Sequence, residues 1–220
     1  MLEINKYYNM DCMEGMKKFP DKYFELAIVD PPYGIGEDGS KGVRTSPSRP
    51  NSYKREPKYK NGKWDNEPPK QEYFIELLRV SKNQIIWGAN HFISKIPFDS
   101  SCWVVWDKNN IGTDFADCEL AWTSFKTTVR KFFGHKFIGT RGGQDCIHPT
   151  QKPIKLYEWL LKNYAKQGDK ILDTHVGSGS SIIAFKKHNF DYIGFEIDKD
   201  YYKDSLKRIN DFKFSNIEYF

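Results

Sequence analysis

The sequence predicts an α/β fold: a single doubly wound, mostly parallel sheet with helices on both faces. Two observations carry this. Six short apolar runs read as strands, and their apolar character is continuous rather than alternating, as a sheet covered on both faces requires. Amphipathic stretches lie between several of them, and strands that alternate with helices build parallel βαβ units. Such a sheet binds ligands in the crevice outside the carboxyl ends of its strands. Residues 1–220 are one domain's worth of chain and are read as a single domain.

The elements follow in order. ELAIVD (25–30) is the first strand, and it runs straight into Pro31, Pro32 and Tyr33. Residues 34–70 then break the pattern with Gly, Pro, Ser, Asn and cations and almost no aliphatics, the composition of a long flexible loop. NQIIWGAN (83–90), CWVVWDK (102–108) and CELAWTSF (118–125) are the next strands. In residues 153–169, Tyr157, Leu160, Leu161 and Tyr164 share one helical face, and Gly168 supplies a stop. KILDTH (170–175) is a strand that leads into Gly177 and Gly179 and then the helical SSIIAFKKH (180–188). DYIGFEID (191–198) is the last strand.

Composition narrows the function classes. Charged residues at 29% and hydrophobic residues at 39% suit a soluble globular protein, and no apolar run approaches the roughly 20 residues of a membrane span. The start, MLEINKYYNM, lacks a signal-peptide pattern, so the cytoplasm is expected. Cys12, Cys102, Cys118 and Cys146 show no CxxC spacing, and no His, Asp or Glu cluster has metal-ligand spacing, so neither a disulfide framework nor a metal is expected. The formal charge is only +5, but residues 41–64 hold eight lysines and arginines against the single acid Glu56. Among them, Arg44, Arg49, Lys54, Arg55, Lys58 and Lys60 are interleaved with Tyr53, Tyr59 and Trp64, a mixture suited to phosphates and occasional base stacking.

Two motifs carry chemistry. In the loop after residue 173, Gly177 and Gly179 let the backbone approach a ligand, and the helix that follows offers free N–H groups. One strand later, Glu196 can accept hydrogen bonds from both hydroxyls of a ribose. Ile182 stands where a GxGxxG fingerprint would have glycine, so the loop by itself points to a nucleoside without choosing which. The other motif, Asp30-Pro31-Pro32-Tyr33, puts a carboxylate, two rigid residues and a ring at the end of a strand, a device for holding something flat.

Together these motifs resemble the S-adenosylmethionine-dependent amino-methyltransferases of DNA in their permuted, beta-class arrangement. In that class DPPY comes first in the chain and the glycine loop last, with His148-Pro149-Thr150-Gln151-Lys152-Pro153 shortly before the loop, as here. The resemblance implies a Rossmann-like methyltransferase fold and S-adenosylmethionine as cofactor. By the same likeness Asp11 and Cys12 flank the adenine of the cofactor. Thr150 and Lys152 lie near its methionine end, Asp173, Gly177, Gly179 and Ser180 belong to the loop beneath it, and Glu196 takes the ribose. The loop departs from the family's usual DPFxGSGT at Thr174, His175 and Ser180; His175 stands where the family commonly has an aromatic ring, and its imidazole is expected to fill that place rather than remove a proton.

The implied reaction is transfer of a methyl group to the N6 amine of an adenine in DNA, at a specific site and of the restriction-modification kind. Asp30 and the Pro31 carbonyl would accept the amine's two N–H bonds, and Pro32 and Tyr33 would complete the clamp, with the ring stacked on a base flipped out of the duplex. A second basic stretch, Arg130, Lys131, Lys136 and Arg141, lies where the family inserts a target-recognition region, although the span before His148 is too short for a full recognition domain. Residues 89–97 and 132–143 carry apolar side chains that could face a second copy of the chain. N4 of cytosine and N6 of adenine in RNA are alternative acceptors, and a glutamine side chain a further one. A catalytically inactive nucleic-acid-binding module is the non-enzyme alternative, and a NAD-dependent dehydrogenase is contradicted by Ile182.

Overall fold

The computed structural model describes residues 1–36, 64–109, 116–134 and 147–214. Among the described residues eight strands form one sheet: β1 (Lys6–Asn9), β2 (Phe24–Val29), β3 (Ser81–Trp87), β4 (Trp103–Asp107), β5 (Cys118–Thr123), β6 (Arg130–Phe133), β7 (Lys170–Asp173) and β8 (Asp191–Glu196). Their order across the sheet is β1-β8-β7-β2-β3-β5-β4-β6. Only β5 runs antiparallel to its neighbours β3 and β4; every other pairing is parallel. The helices are α1 (Cys12–Met16), α2 (Gln71–Val80), α3 (Ile154–Tyr164), α4 (Ser180–Lys187) and α5 (Lys199–Asp211).

The continuous apolar run of β2 has a direct physical cause. Side chains alternate between the faces of a strand, and both faces here are covered. Leu26 and Ile28 pack with Leu156 and Leu160 of α3 and Ile183 and Phe185 of α4. Ala27 and Val29 pack on the opposite face with Met16 of α1 and Phe74 and Leu77 of α2. Polar residues have no place on either side.

The chain winds in opposite directions from the two central strands. From β2 it passes through α2 to β3, and from β7 through α4 to β8, while β2 and β7 lie side by side with Leu26 opposite Ile171 and Ala27 opposite Leu172. A switch in winding direction opens a crevice at the carboxyl ends of the two strands. The DPPY residues leave β2 and the glycine loop leaves β7 at that crevice.

All six expected strands are present. Two more, β1 and β6, were not foreseen. Each is four residues long, lies at an edge of the sheet and is largely exposed, so it carries no apolar run to reveal it. The helix expected to run to Gly168 ends at Tyr164, because Ala165 turns extended (φ −116°, ψ 157°). Gly168, at φ +90°, belongs instead to a turn in which the Asp169 carboxylate accepts the Lys166 N–H at 2.8 Å. Among the described residues, no helix is long and apolar enough to cross a membrane.

Close packing fixes α1, the helix that carries Cys12. A Cβ placed on Gly15 would come within 2.4 Å of the Phe195 ring, which is itself fully buried under the helix. Gly15→Ala should therefore push α1 off β8, at a cost of about 1–3 kcal/mol of overpacking. Thermal melts should register this as a fall in Tm; an unchanged Tm would mean that the Phe195 ring yields freely.

Candidate functional site

The DPPY turn is held from outside the sheet by residues that follow the basic loop. The Asp65 carboxylate, 2% exposed, accepts the backbone N–H groups of Tyr33 at 2.7 Å and Gly34 at 2.8 Å. Its carbonyl accepts the Gly36 N–H at 2.9 Å. Gly34 has φ +74°, and a Cβ there would lie 2.4 Å from Pro68, so the turn and residues 65–68 admit no side chain at that point. Beside this clasp, the Trp64 ring lies 5.1 Å from the ring of His148.

Inside the turn, charged groups alternate in sign. The Lys152 ammonium lies 2.5 Å from one Asp30 oxygen and 3.1 Å from a Glu119 oxygen, and Lys108 lies 2.5 Å from the other Glu119 oxygen. The Tyr33 hydroxyl donates to the second Asp30 oxygen at 2.7 Å and accepts from Lys152 at 3.1 Å. Two lysines and two acids thus form a row, Lys108, Glu119, Lys152, Asp30, with no net formal charge. The Lys152 ammonium also lies 5.4 Å from the Trp87 ring centre and 5.5 Å from that of Tyr33, and aromatic faces attract a desolvated cation. The Tyr33 ring stacks on His91 at 5.2 Å and 16°.

Burial and neighbouring charge set the protonation of this row. Burial pushes the Asp30 carboxyl up; Lys152 pulls it back and Glu119 pushes it further up, and the net position is above the ordinary aspartate value. Burial also pushes Glu119 up, but Lys152 and Lys108 outweigh it and hold its carboxyl down at about 2. Burial disfavours the Lys152 cation, yet the two carboxylates dominate, so its pKa rises. Lys152 and Glu119 are therefore firmly ionised, and Asp30 is the most proton-avid of the acids in the row.

The glycine loop lies one strand away. The Glu196 carboxylate accepts the Gly177 N–H at 2.9 Å through one oxygen and the Asp198 N–H at 2.9 Å through the other. The His148 ring sits beside Gly177 and 4.4 Å from the Tyr201 ring, and its Nδ1 is 3.1 Å from the Thr150 hydroxyl. Gly179, at φ +80°, caps α4, and the Ser180 hydroxyl is engaged by Ser178 at 3.1 Å and Arg208 at 3.0 Å. Asp11 caps α1 by accepting the Met13 and Glu14 N–H groups.

Between the two loops lies an open cleft of about 500 Å³, lined by Cys12 and Met13 of α1, Pro32, Glu67, Tyr73 of α2 and His175, among others. Burial pushes the Cys12 thiol up to about 12, so it lines the cleft as a neutral group. Burial likewise lowers His175 to about 4, which leaves its imidazole neutral at pH 7.

The structure thus brings Cys12, Pro32 and His175 to one cleft, and Asp30, Tyr33 and Lys152 to one cluster. Lys152, expected at the methionine end of a cofactor, has its ammonium on the DPPY carboxylate. Arg130 and Lys131 lie on the edge strand β6, with Lys131 3.2 Å from Asp107. Arg44, Arg49, Lys54, Arg55, Lys58, Lys60, Lys136 and Arg141 fall outside the described residues. Sequence reading missed Glu119, Lys108 and Asp65. The first two were legible only as charges inside or ending apolar runs, and Asp65 had no signal within its polar surroundings. Among the described residues, no group of His, Cys, Asp and Glu could hold a metal ion.

One buried acid lends the site region a pH dependence. Asp173, at the end of β7, accepts the His175 N–H at 2.9 Å and is 1% exposed. Burial pushes its carboxyl from 3.8 up to about 7. The fold favours the protonated form, so its stabilising contribution is complete below about pH 4 and is lost as the pH rises through 7. Asp173→Asn removes the titration. Between pH 6 and pH 8 the Tm of the variant should therefore fall less than that of the wild type; parallel falls would show that Asp173 does not titrate there.

Three kinds of likeness to known proteins agree with this geometry. A family model described as DNA methylase, covering enzymes of the N6 and N4 type, matches residues 105–207. The type II methyltransferase M2.MboI of Moraxella bovis is 23% identical over 93% of this chain and 87% of its own length. The type II methyltransferase M.HinfI of Haemophilus influenzae is 26% identical over 96% of this chain and 69% of its own length. Among solved structures, the complex of M1.HpyAVI with SAM aligns with a TM-score of 0.62 at 19% identity, covering 93% of this chain and 98% of that one, a likeness of fold. Taken together, these likenesses support an N6-adenine or N4-cytosine DNA methyltransferase.

Proposed function

We propose that this DNA methyltransferase transfers a methyl group from S-adenosylmethionine to the N6 amine of an adenine flipped out of DNA, in the cytoplasm. The observation that carries this reading is the position of Asp30. Its carboxylate leaves β2 beside the parallel strand β7, which bears the glycine loop, and Pro32 of the same motif lines the cleft between them.

The cleft residues fit the cofactor. Tyr73, Pro32 and His175 offer flat or apolar surface and the Cys12 thiol is neutral, while on the glycine loop's side, outside the lining of the cleft, the Glu196 carboxylate keeps lone pairs beyond the two backbone bonds it already accepts. When bound, S-adenosylmethionine supplies an electrophilic methyl group on a sulfonium. Glu196 would hold the ribose, and the backbone of Gly177 and Gly179 would lie against the amino-acid end.

The chain's own residues would prepare the nucleophile. The adenine amine is a poor nucleophile because its lone pair is delocalised into the ring. Each Asp30 oxygen is already bonded once, to Tyr33 or Lys152, and retains acceptor capacity for an N–H of the amine. The Pro31 carbonyl would accept the second N–H, favouring a pyramidal nitrogen with a directed lone pair. As positive charge develops on that nitrogen, these fixed acceptors stabilise it more than the ground state. The upward displacement of the Asp30 carboxyl suits it to hold the proton the amine sheds. Tyr33 would pack on the base through ring surface that the stacked His91 does not cover.

Aspartate at the head of the motif favours adenine, because serine there is more typical of enzymes acting on N4 of cytosine. The test is transfer of labelled methyl from S-adenosylmethionine to DNA, followed by separation of nucleosides. Label in N6-methyladenine is the expected outcome; label in N4-methylcytosine would overturn the choice of base. Asp30→Ala should reduce transfer at least about 100-fold, as loss of an electrostatic acceptor does, with cofactor affinity preserved. Undiminished transfer would remove Asp30 from the chemistry.

A further inference from the structure

His175 stands where the glycine-loop pattern the chain resembles commonly has an aromatic ring, and its surroundings define what the imidazole can do. The ring lines the cleft together with Cys12, Pro32 and Tyr73. Its Nδ1 lies 2.9 Å from the Thr174 hydroxyl, and that hydroxyl lies 2.6 Å from the hydroxyl of Tyr73. The Tyr73 ring also meets the imidazole edge to face, at 5.4 Å and 69°.

Counting protons along this chain selects a tautomer. The buried Tyr73 hydroxyl has Thr174 as its hydrogen-bond partner and no other among the described residues. It must therefore donate to Thr174, because the reverse direction leaves a buried phenol proton without an acceptor. Thr174 then has its own proton to give, and the acceptor within reach is Nδ1 of His175. An imidazole that accepts at Nδ1 and is neutral carries its proton on Nε2. Burial, which lowers the pKa to about 4 against the opposing effect of Asp11, keeps the ring neutral through the physiological range. The Nε2 atom has no hydrogen-bond partner among the described residues and is not among the sealed, unsatisfied polar atoms, so it is open towards the cleft.

We propose that His175 is a cofactor-binding residue whose Nε2–H donates a hydrogen bond to an oxygen of the cofactor, a contact that a phenylalanine at this place cannot make. This rests on the cofactor reading above. It also excludes His175 as the base that removes the amine proton, since its lone pair is directed at Thr174 and its exposed nitrogen is a donor.

Calorimetric titration with S-adenosylhomocysteine tests the contact, with three proteins compared. His175→Phe keeps a ring of similar size and removes the donor. His175→Gln places an amide N–H near the position of Nε2. The Phe variant should bind roughly tenfold more weakly, the scale of one hydrogen bond. The Gln variant should recover most of that loss, with both variants melting close to the wild type. In turnover, the Phe variant should raise KM for S-adenosylmethionine far more than it lowers kcat. Long-range ¹H–¹⁵N correlation spectra of the free protein should show the Nε2–H tautomer of His175. Wild-type affinity in the Phe variant, a collapse of kcat at saturating cofactor, or an Nδ1–H tautomer would each overturn the proposal. Failure of the wild type itself to bind S-adenosylhomocysteine would instead overturn the cofactor reading beneath it.

Discussion

Lys152 brings an ammonium that is 1% exposed to within 2.5 Å of the Asp30 carboxylate, and the other polar contacts of the DPPY turn are arranged around that pair. Burying an ion costs several kcal/mol even after relaxation, so such a pair persists only where further groups satisfy it. Glu119 and the Tyr33 hydroxyl take the remaining lysine donors, and Trp87 and Tyr33 offer their ring faces. Lys108 in turn neutralises Glu119. Remove Lys152, and two largely buried acids are left facing each other without their shared cation. The pair also joins parts of the chain that are remote in sequence, the end of β2 and the segment ahead of α3.

The sheet makes this meeting possible. Because β2 and β7 are neighbours and parallel, their carboxyl ends open on the same side, and the reversal in winding between them leaves that side uncovered by a crossing connection. The order of the motifs along the chain is then immaterial. What matters is that the DPPY turn and the glycine loop leave adjacent strands, with α1 and α2 closing the cleft from the face that carries Met16 and Phe74.

Legibility in the sequence followed burial. The six inner strands were visible because they hold most of the sheet's buried residues, which leaves short apolar runs in the sequence. The edge strands β1 and β6 bury too little to leave such a run. The DPPY, HPTQKP and glycine-loop residues were legible as motifs, but their partners were not. Asp65 acts through backbone N–H groups of Tyr33 and Gly34, a contact that requires no pattern at Asp65 itself. Glu119 is a single acid in an apolar strand, and only the arrival of Lys152 from elsewhere in the chain gives it a reason to be there. The end of α3 was misjudged because glycine marks many turns, and here the turn begins with extended Ala165.

In the proposed reaction Lys152 acts on the carboxylate of Asp30 rather than on the cofactor. The most direct measurement compares Lys152→Met with the wild type in two readouts, the single-turnover rate of methyl transfer to DNA and the dissociation constant for S-adenosylhomocysteine, with a thermal melt confirming that the variant is folded. The expected result is a fall in rate of about 100-fold, the scale of losing a fixed electrostatic contact at the reacting group, with cofactor affinity changed by no more than a few-fold. A variant that transfers methyl at the wild-type rate once saturated, but binds S-adenosylhomocysteine far more weakly, would place Lys152 on the cofactor and contradict the claim.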